Sequence, residues 1–321
     1  MNSFCRCVLL LLLTLSPLSA RLQTRLACWN VENYFDIYDD TLTRDDDFTP
    51  QGENHWTRHR FEHKRDMIYK TIAAMGFPAV FGMVEVENAA VLRHLCKGTP
   101  LRRKGYEFVH YDSPDPRGID CALLYRSDAF RLLESRPLPL LHQPTRDVLL
   151  ATGVLPQGDT LCLLVVHAPL KRGGEAADRL RSVFCRLLRA TMDSLHSAHP
   201  GAWVVAMGDF NDTPQTIMRR MGCSADASAT TVGCPQNYML GLSDSVASYK
   251  YQGQWEYIDQ ILYLAPSDAT PCGGGTFVAP WLVTDDARYM GVKPFRTYQA
   301  MIYQGGVSDH LPVYLDFLCD E

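Results

Sequence analysis

The sequence has 321 residues, of which 46% are hydrophobic and 21% are charged. These proportions are typical of a globular protein with a substantial core, and they exclude a disordered chain. The formal net charge of -5 argues against a protein whose affinity rests on a broad basic surface. The negative charge remains compatible with a protein that binds phosphate through metal ions. Clustered carboxylates that hold such ions make a chain acidic, while the bound metal attracts phosphate.

Residues 1–20 have the pattern of a secretory signal peptide. Arg6 precedes an apolar run at residues 8–15, which is too short to span a membrane as a helix. Small residues follow the run, and we expect cleavage after Ala20. The mature chain would then be secreted or periplasmic and have no transmembrane segment. A buried N-terminal helix or strand is the alternative, and a lipoprotein that uses Cys28 is a weaker one.

The nine cysteines after this predicted leader show neither a disulfide framework nor a structural zinc site. Their number is odd, and no Cys-x-x-Cys pair occurs among them. Several lie inside apolar runs, where they are expected to be small core residues. Cys223 and Cys234 flank a loop-like stretch of small residues, and a disulfide between them stays open.

Apolar runs of strand length recur along the remaining chain, with helical patterns between them. Several runs show no polar alternation, which is typical of strands that are covered on both faces. Strands are predicted at residues 26–29, 80–86, 121–125, 161–166, 203–207, 258–263 and 313–317, and helices at 60–75 and 175–195. Because no repeat or long linker separates them, we predict one α/β domain over residues 21–321, with chemistry in loops at the strand ends.

Polar side chains appear where these apolar strands stop. They are Asn30, Glu85, His167, Asp209, Asn211, Asp259, Asp309 and His310. A charge at the buried end of a strand is costly unless it is paired or bound to metal. An oxygen-rich set with little sulfur suits a hard cation such as Mg²⁺, Mn²⁺ or Ca²⁺.

Five segments carry a resemblance to a known family. They are Trp-Asn-Val-Glu-Asn at 29–33, Val-Glu-Val-Glu-Asn at 84–88, Gly-Ile-Asp-Cys-Ala-Leu-Leu-Tyr at 118–125, Gly-Asp-Phe-Asn-Asp at 208–212 and Ser-Asp-His at 308–310. In this order they resemble the endonuclease/exonuclease/phosphatase superfamily, and in particular its deoxyribonuclease I-like, bacterial secreted-type members. The resemblance implies a four-layer α/β sandwich, in which two packed mixed sheets are flanked by helices.

The resemblance also implies the metal ligands. Asn30 and Glu85 match the metal-site pair of the family, with Glu85 as the main carboxylate, and Asp309 matches a second metal-side carboxylate. Glu87 competes with Glu85 from two residues away, and we favour Glu85 because it ends the apolar run. The implied cofactor is Mg²⁺, with Mn²⁺ or Ca²⁺ as alternatives.

The catalytic roles follow from the same resemblance. Asp209 and Asn211 match the pair that orients the attacking water and holds the phosphate. His310 matches the histidine that contacts the scissile phosphate, and Asp259 matches the carboxylate that pairs with it. His167 matches a second histidine found in deoxyribonuclease-like members. A carboxylate behind His310 would fix its tautomer and raise its pKa.

Two arginines are candidates for substrate binding. Arg117 would clamp a phosphate or lie on a surface turn, and Arg172 precedes a Gly-Gly pair before the long predicted helix. Glu32 and Asp120 are either carboxylates that support the site or ordinary buried partners.

The expected function is divalent-metal-dependent hydrolysis of a phosphodiester by in-line attack of water. An exported endonuclease that acts on DNA or RNA is favoured because both histidines are present, and no stable protein partner is implied. The alternatives are a phosphomonoesterase or sphingomyelinase-like lipid phosphodiesterase, and a non-catalytic binding module. The lipid enzyme would need an exposed aromatic loop, for which Tyr34, Phe35 and Tyr38, or Trp281 with Tyr289, are candidates, although core packing explains them equally well.

Overall fold

The computed structural model describes residues 22–140, 143–171, 173–222, 236–237, 247–266 and 271–319. The helices of this part are α1 (Arg58–Ala74), α2 (Ala89–Gly98), α3 (Gly174–Ala198) and α4 (Pro214–Arg220). Short 3₁₀ turns occupy Asp46–Phe48 and Pro100–Lys104. Three of the α-helices begin at a side-chain cap, because Thr57, Asn88 and Thr213 accept hydrogen bonds from backbone N–H groups of the first turn.

Two six-stranded sheets form the centre of the fold. The strands are β1 (Leu22–Tyr34), β2 (Val80–Val86), β3 (Tyr106–His110), β4 (Asp120–Arg126), β5 (Arg131–Leu138), β6 (Val148–Val154), β7 (Thr160–His167), β8 (Trp203–Asp209), β9 (Gln236–Asn237), β10 (Tyr249–Tyr251), β11 (Gln254–Glu256), β12 (Asp259–Leu264), β13 (Pro271–Thr276), β14 (Val283–Asp285), β15 (Val292–Pro294), β16 (Tyr298–Gln299), β17 (Ile302–Tyr303) and β18 (Val313–Cys319). The first sheet has the order β13-β18-β1-β2-β4-β3 and the second has β5-β6-β7-β8-β12-β9. The pairs β10–β11, β14–β15 and β16–β17 form separate two-stranded hairpins.

Each large sheet is mixed, and each contains a parallel pair. β1 and β2 are parallel in the first sheet, and β7 and β8 are parallel in the second. The strands next to these pairs are antiparallel to them. Because the carboxyl ends of parallel strands lie at one edge of a sheet, the residues after β1, β2, β7 and β8 come to the same side of the molecule.

Three apolar clusters define the layers. Leu163 and Val205 of the second sheet pack with Leu26 and Val80 of the first, between the two sheets. A second cluster joins the outer face of the first sheet to α1 and α2, and a third joins the outer face of the second sheet to α3 and α4. The predicted four-layer α/β sandwich is therefore confirmed.

The predicted elements correspond to central elements of the fold, and the additional strands lie mostly at its edges. Five cysteines, Cys28, Cys96, Cys121, Cys162 and Cys185, are buried free thiols, and Cys272 is an exposed one. Cys223 and Cys234 lie outside the described residues. Within the described ranges, no helix has the length and apolar character needed to cross a membrane.

Candidate active site

A cleft of about 490 Å³ opens where the carboxyl ends of β1 and β2 meet those of β7 and β8. Its lining includes eight of the predicted residues: Asn30, Glu85, Arg117, His167, Asp209, Asn211, Asp309 and His310. Asp259 lies directly behind His310 and is 0% exposed. Arg172 lies outside the described residues. The structure therefore brings together, in or next to one cleft, every predicted site residue that it describes.

Strand register accounts for this convergence. His167 pairs with Asp209 across the parallel β7–β8 contact, and Asp259 pairs with Asp209 from the antiparallel β12. The segment before β18 passes beside the end of β1, where the Trp29 indole donates to the His310 carbonyl at 2.9 Å. The ends of β7, β8 and β12 thus fix His167, Asp209 and Asp259, and a buried hydrogen bond to β1 fixes the segment that carries His310.

The backbone around the cleft adopts left-handed conformations that non-glycine residues rarely take. The φ angles are +49° at Glu32, +52° at Asn33, +62° at Glu85 and +51° at Asn211. Such residues cost of order 1–3 kcal/mol each, and they concentrate at functional sites. At Glu85 the pairing of β2 with β4 is irregular, so this residue leaves the ladder and turns into the cleft.

Gly208 makes the approach of Asp209 sterically feasible. Its φ is +142°, and a Cβ atom at this position would lie 2.0 Å from the Val166 carbonyl oxygen. Only glycine fits there without displacement of a central strand. The glycine of the Gly-Asp-Phe-Asn segment is therefore a requirement of the close β7–β8 contact.

Asn30 joins the two carboxylates at the floor of the cleft. Its amide nitrogen donates to Glu85 Oε1 at 3.3 Å and to Asp209 Oδ2 at 3.0 Å, while its oxygen accepts from the Glu32 N–H at 2.9 Å. Glu85 Oε2 also accepts from the Asn33 N–H at 2.9 Å. In this arrangement Asn30 holds both carboxylates in place, and its predicted role as a direct metal ligand stays a prediction.

His310 is held by a carboxylate that solvent does not reach. Its Nδ1 lies 2.7 Å from Asp259 Oδ2, which leaves Nε2 directed into the cleft, 3.9 Å from Asp209 Oδ2. Burial opposes a charge on this imidazole, but the Asp259 carboxylate outweighs it and raises the pKa of His310 well above its usual range. His310 is therefore an imidazolium near neutral pH, with Nε2–H available as a donor.

His167 has the opposite protonation state. Its Nε2 lies 3.7 Å from Asp209 Oδ2 and 3.9 Å from Glu85 Oε1. Burial lowers the pKa of His167 well below its usual range, and nearby positive charges, Arg146 foremost, lower it further. His167 is thus a neutral imidazole at the centre of the cleft.

Asp209 lies between the two histidines and is poised to exchange a proton near neutral pH. Burial, reinforced by Asp259, raises the pKa of Asp209 to about 7, although His310 opposes the shift. The Asn211 N–H donates to Asp209 Oδ1 at 2.8 Å and fixes the orientation of the carboxylate. A carboxylate with this pKa matches the demand on a general base at neutral pH.

Glu32, left open by the sequence, also lines the cleft. Its Oε2 accepts from the Thr297 N–H at 2.7 Å, and its Oε1 lies 3.3 Å from Nη2 of Arg296. The same Nη2 lies 3.0 Å from Asp309 Oδ2. Arg296 therefore bridges two carboxylates of the cleft, a contact that the sequence analysis missed.

Lys64 supports the part of the cleft that contains Glu32. It is 1% exposed, and its ammonium donates to the Glu32 carbonyl, to Thr297 Oγ1 at 2.6 Å and to the Val307 carbonyl at 2.9 Å. Burial lowers the pKa of Lys64, against the opposing effect of Glu32. One side chain of α1 thus ties the end of β1 to the segment that carries Asp309 and His310.

The remaining candidates separate into cleft residues and residues beyond it. Arg117 lines the cleft, where Nη2 donates to Asn33 Oδ1 at 2.9 Å and lies 3.7 Å from Glu85 Oε2. Glu87 faces away and accepts from the Asp36 N–H, which supports the choice of Glu85. Asp120 lies outside the cleft lining, with its carboxylate bonded to Ser113 and 3.3 Å from His110 Nε2.

The donor set fits a divalent cation of the hard class. Glu85 and Asp209 share one amide partner, and two carboxylates this close repel each other unless a cation or proton intervenes. Asp209, Asp259 and His310 also present ligand atoms within 4.8 Å of one another, but Asp259 is engaged behind the imidazole. Glu85 is therefore the carboxylate best placed to hold an ion in the cleft, and Asp209 faces it across the shared Asn30 amide.

A four-layer α/β sandwich whose strand ends gather carboxylates and imidazoles around a shared cleft has the features of a metal-binding phosphoester enzyme. A family model described as Endonuclease/Exonuclease/phosphatase family matches residues 25–318. The chain belongs to this family, which includes metal-dependent nucleases and phosphodiesterases. A search of curated proteins gives no significant match.

Solved structures share the fold at low sequence identity. TDP2 from D. rerio, in complex with a single-strand DNA product, is 16% identical, with a TM-score of 0.57 over 92% of this chain and 98% of that one. An endonuclease/exonuclease/phosphatase family protein from Bacteroides thetaiotaomicron is 15% identical, with a TM-score of 0.58 over 94% and 99%. The human Nocturnin catalytic domain with a bound sulfate is 17% identical, with a TM-score of 0.54 over 94% and 96%. At such identities the likeness concerns the fold.

Proposed function

We propose that this protein is a divalent-metal-dependent phosphodiester hydrolase, and specifically an exported nuclease that cuts DNA or RNA. The observation that carries the proposal is the meeting of Glu85, Asp209, His167 and His310 in one cleft, with Asp259 behind His310. The DNA product bound to the related TDP2 structure adds support for a nucleic-acid substrate. Mg²⁺ is the proposed cofactor, with Mn²⁺ or Ca²⁺ as alternatives.

In this proposal each side chain has a separate task. A divalent cation held by Glu85, when bound, supplies Lewis acidity to the phosphate. Asp209 accepts a proton from the water that attacks phosphorus, since its pKa of about 7 suits a base at neutral pH. The imidazolium of His310 donates its Nε2 proton to the leaving oxygen, on which negative charge grows as the phosphorus–oxygen bond breaks.

Three other residues orient the substrate and the base in this proposal. Asn211 fixes Asp209 through its N–H group, and its side chain, whose amide nitrogen donates to the Ala168 carbonyl at 2.9 Å, lines the cleft where the phosphate would bind. Arg117 and Lys171 line the rim and attract the charged backbone of a nucleic acid. His167 stays neutral and contacts the substrate without adding charge to the cleft.

An activity screen tests the proposal directly. Purified protein is incubated with supercoiled plasmid, single-stranded DNA and RNA, each with Mg²⁺, Mn²⁺ or Ca²⁺. We expect cleavage that EDTA stops and that Asp209→Asn or His310→Gln lowers about 10²–10⁴-fold. Asp316→Asn is a matched control, since it removes a buried, ion-paired aspartate on β18 that does not line the cleft. Intact nucleic acids with every metal would refute the nuclease proposal.

A lipid phosphodiesterase is the second candidate, and exposed apolar side chains favour it. Met290 is 83% exposed and Ile302 is 69% exposed. Met290 is joined to a cleft hairpin, because Lys250 beside the cleft residue Tyr251 donates to the Met290 carbonyl at 3.1 Å. Among the predicted membrane-contacting aromatics, Tyr34 and Phe35 are core residues, Trp281 is only partly exposed, and Tyr38 and Tyr289 are exposed.

The same screen separates the alternatives when three substrates are added. Phosphocholine released from sphingomyelin vesicles would favour the lipid enzyme, and inorganic phosphate released from phosphomonoesters would favour a phosphatase. A protein that binds Mn²⁺ and turns over none of the substrates would be the non-catalytic binding module.

Export is proposed from residues 1–20 of the sequence. Expression of the full chain in a bacterial host, followed by N-terminal sequencing of the released protein, should give a chain that starts at Arg21. A cytoplasmic product that retains Met1 would contradict this part of the proposal.

A further inference from the structure

A group of histidine and aspartate side chains lies at the base of the loop that joins β3 to β4. His110 is the last residue of β3 and Asp120 is the first residue of β4, so these two residues mark the ends of the loop. Together with Asp112 they present nitrogen and oxygen atoms that lie within 4.8 Å of one another. Asp147 directly precedes β6. None of these four residues lines the cleft, so the group is separate from the residues of the proposed reaction.

Negative charge accumulates in this group without a permanent cation. Asp120 is 3% exposed, and its Oδ1 accepts hydrogen bonds from the N–H and the hydroxyl of Ser113. Asp147 Oδ1 is also buried, and it has no hydrogen-bond partner in the part of the chain that the structure describes. Burial raises the pKa of Asp147, and the nearby charge of Asp120 raises it further. Carboxylates gathered in this way require a cation or a proton between them.

His110 offers a ring nitrogen that no hydrogen bond uses. Its side chain is only 3% exposed, and its buried Nε2 has no hydrogen-bond partner among the described residues, although Asp120 Oδ2 lies 3.3 Å away. Usual N–H···O bonds have a shorter separation, of about 2.7–3.2 Å. Two neighbouring ligand atoms on tetrahedral Zn²⁺ lie roughly 3.3–3.5 Å apart, as follows from bond lengths of about 2.0–2.2 Å. The two atoms therefore have the spacing of two ligands of one ion.

We infer that His110 Nε2 and Asp120 Oδ2 hold a divalent cation of the Zn²⁺ type at the base of the β3–β4 loop, outside the cleft. An imidazole ligand favours Zn²⁺ over Mg²⁺, Ca²⁺ and Mn²⁺. Asp147, with its unpaired buried oxygen, is the candidate for a third ligand. Asp112 Oδ1 lies 3.8 Å from Nδ1, the other ring nitrogen of His110, which is the side from which a carboxylate orients a ligating imidazole.

The proposed ion has a structural task, because the loop between its two ligands carries Arg117. An ion bound to both ends of the loop fixes its base. Arg117, on the same loop, donates from Nη2 to Asn33 Oδ1 at 2.9 Å and lines the cleft. The ion would thus hold in place the segment that presents this arginine to the cleft, while taking no part in the reaction. The inference is independent of the proposed function.

The experiment counts the Zn²⁺ that the full chain retains after dialysis against excess Mg²⁺, by inductively coupled plasma mass spectrometry, and records the melting temperature. Wild type should retain one Zn²⁺ and melt about 4–8 °C higher with it. His110→Gln should lose this ion, and its melting temperature should not respond to Zn²⁺. His199→Gln changes an exposed histidine beyond α3 and should keep the ion. Glu85→Gln changes the cleft and should keep it as well.

The outcomes locate the ion. Loss of Zn²⁺ on Glu85→Gln with retention on His110→Gln would place the ion in the cleft and overturn the inference. A folded wild type that retains no Zn²⁺ would also overturn it, and His110 would then be the charged partner of Asp120. Neither result bears on cleavage of nucleic acid with Mg²⁺, which tests the proposed function separately.

A second variant keeps the inference testable if His110→Gln fails to fold. The Asp112 side chain is 89% exposed, so Asp112→Asn should fold as wild type does. Without the carboxylate beside Nδ1, Zn²⁺ binding should weaken about 10–100-fold, measured by calorimetric titration. An unchanged Kd in this variant would overturn the inference.

Discussion

Replacement of Asp259 by asparagine tests how the cleft sets the charge of its histidine. Asp259 is fully buried, and its Oδ2 lies 2.7 Å from His310 Nδ1. Asparagine keeps the shape and a hydrogen-bonding group but removes the negative charge. Burial, which opposes the charged imidazole, would then act without its main opponent. We expect the pKa of His310 to fall, so that less of the imidazole is charged at pH 7, although Asp209 and Asp309 still favour the charged form.

The loss of that charge should appear in kcat more than in KM, because His310 is proposed to act on charge that grows only in the transition state. A decrease of about 10²–10⁴-fold in kcat/KM is expected, the range for a positioned acid or base. Nuclear magnetic resonance titration of the His310 ring gives its pKa in the metal-free protein. Asp316→Asn controls for the loss of a buried carboxylate, since Asp316 pairs with Arg25 at 2.7 Å. An Asp259→Asn protein with an unchanged His310 pKa, or with nearly full activity, would refute the reasoning.

Three further predictions concern folding. Gly208→Ala should lower the free energy of unfolding by roughly 3 kcal/mol or more, measured by urea denaturation, since the added Cβ would lie 2.0 Å from the Val166 carbonyl. Burial raises the folded-state pKa of Glu87 to about 8, from an ordinary value of 4.5. The contribution of Glu87 to the free energy of unfolding, measured as wild type minus Glu87→Gln, should therefore be fully present below pH 4.5 and should be lost as the pH rises through about 8. Urea midpoints of the two proteins that change in parallel with pH across this range would contradict the prediction. Lys64→Met should cost about 3–5 kcal/mol, because it removes the buried ammonium that donates to the Glu32 carbonyl and offsets the charge of the buried Glu32 carboxylate; a loss under 1 kcal/mol would be evidence against this prediction.

Most central strands could be predicted from the sequence because each contains an unbroken apolar run, but β6, which lies inside the second sheet and includes Thr152 and Gly153, was not predicted. β8, Trp203–Asp209, is buried at every position, and β7 is buried at every position but its first. Such strands are covered on both faces, so their sequences are nearly continuous apolar runs. β5 was missed because it is an edge strand with mostly exposed or half-exposed residues. The hairpin strands β10 and β11 have three residues each, too few for any period to appear.

The residues at strand ends could also be predicted, whereas those that reach the cleft by tertiary contact could not. Asp209 and His167 end buried strands, so their polarity is conspicuous in the sequence. Arg146 is buried and donates to the His167 and Ala168 carbonyls at 3.1 and 2.8 Å, yet its neighbours in sequence resemble those of a surface arginine. No local pattern indicates which backbone such a side chain will reach.

Lys64 also reaches the cleft by tertiary contact, but its burial could have been predicted from the helical periodicity of the sequence. Phe61, Lys64 and Ile68 lie three and four residues apart and share the buried stripe of α1. A lysine in an apolar stripe must either extend its ammonium to solvent or find acceptors inside. Here it finds three, and all of them belong to segments that form the cleft. Helical periodicity could therefore have marked Lys64 as a buried cation, although not its partners.

The two cleft histidines show how identical burial produces different chemistry. Both imidazoles are enclosed, and burial alone would keep both neutral. Asp259 reverses this for His310 because it contacts Nδ1 from a position without solvent, while the positive charges nearest His167 act in the other direction. The result is one charged donor and one neutral ring on either side of Asp209. A hydrolysis that must place a proton on one oxygen while another oxygen gives one up needs this kind of division, and it depends on a single buried carboxylate.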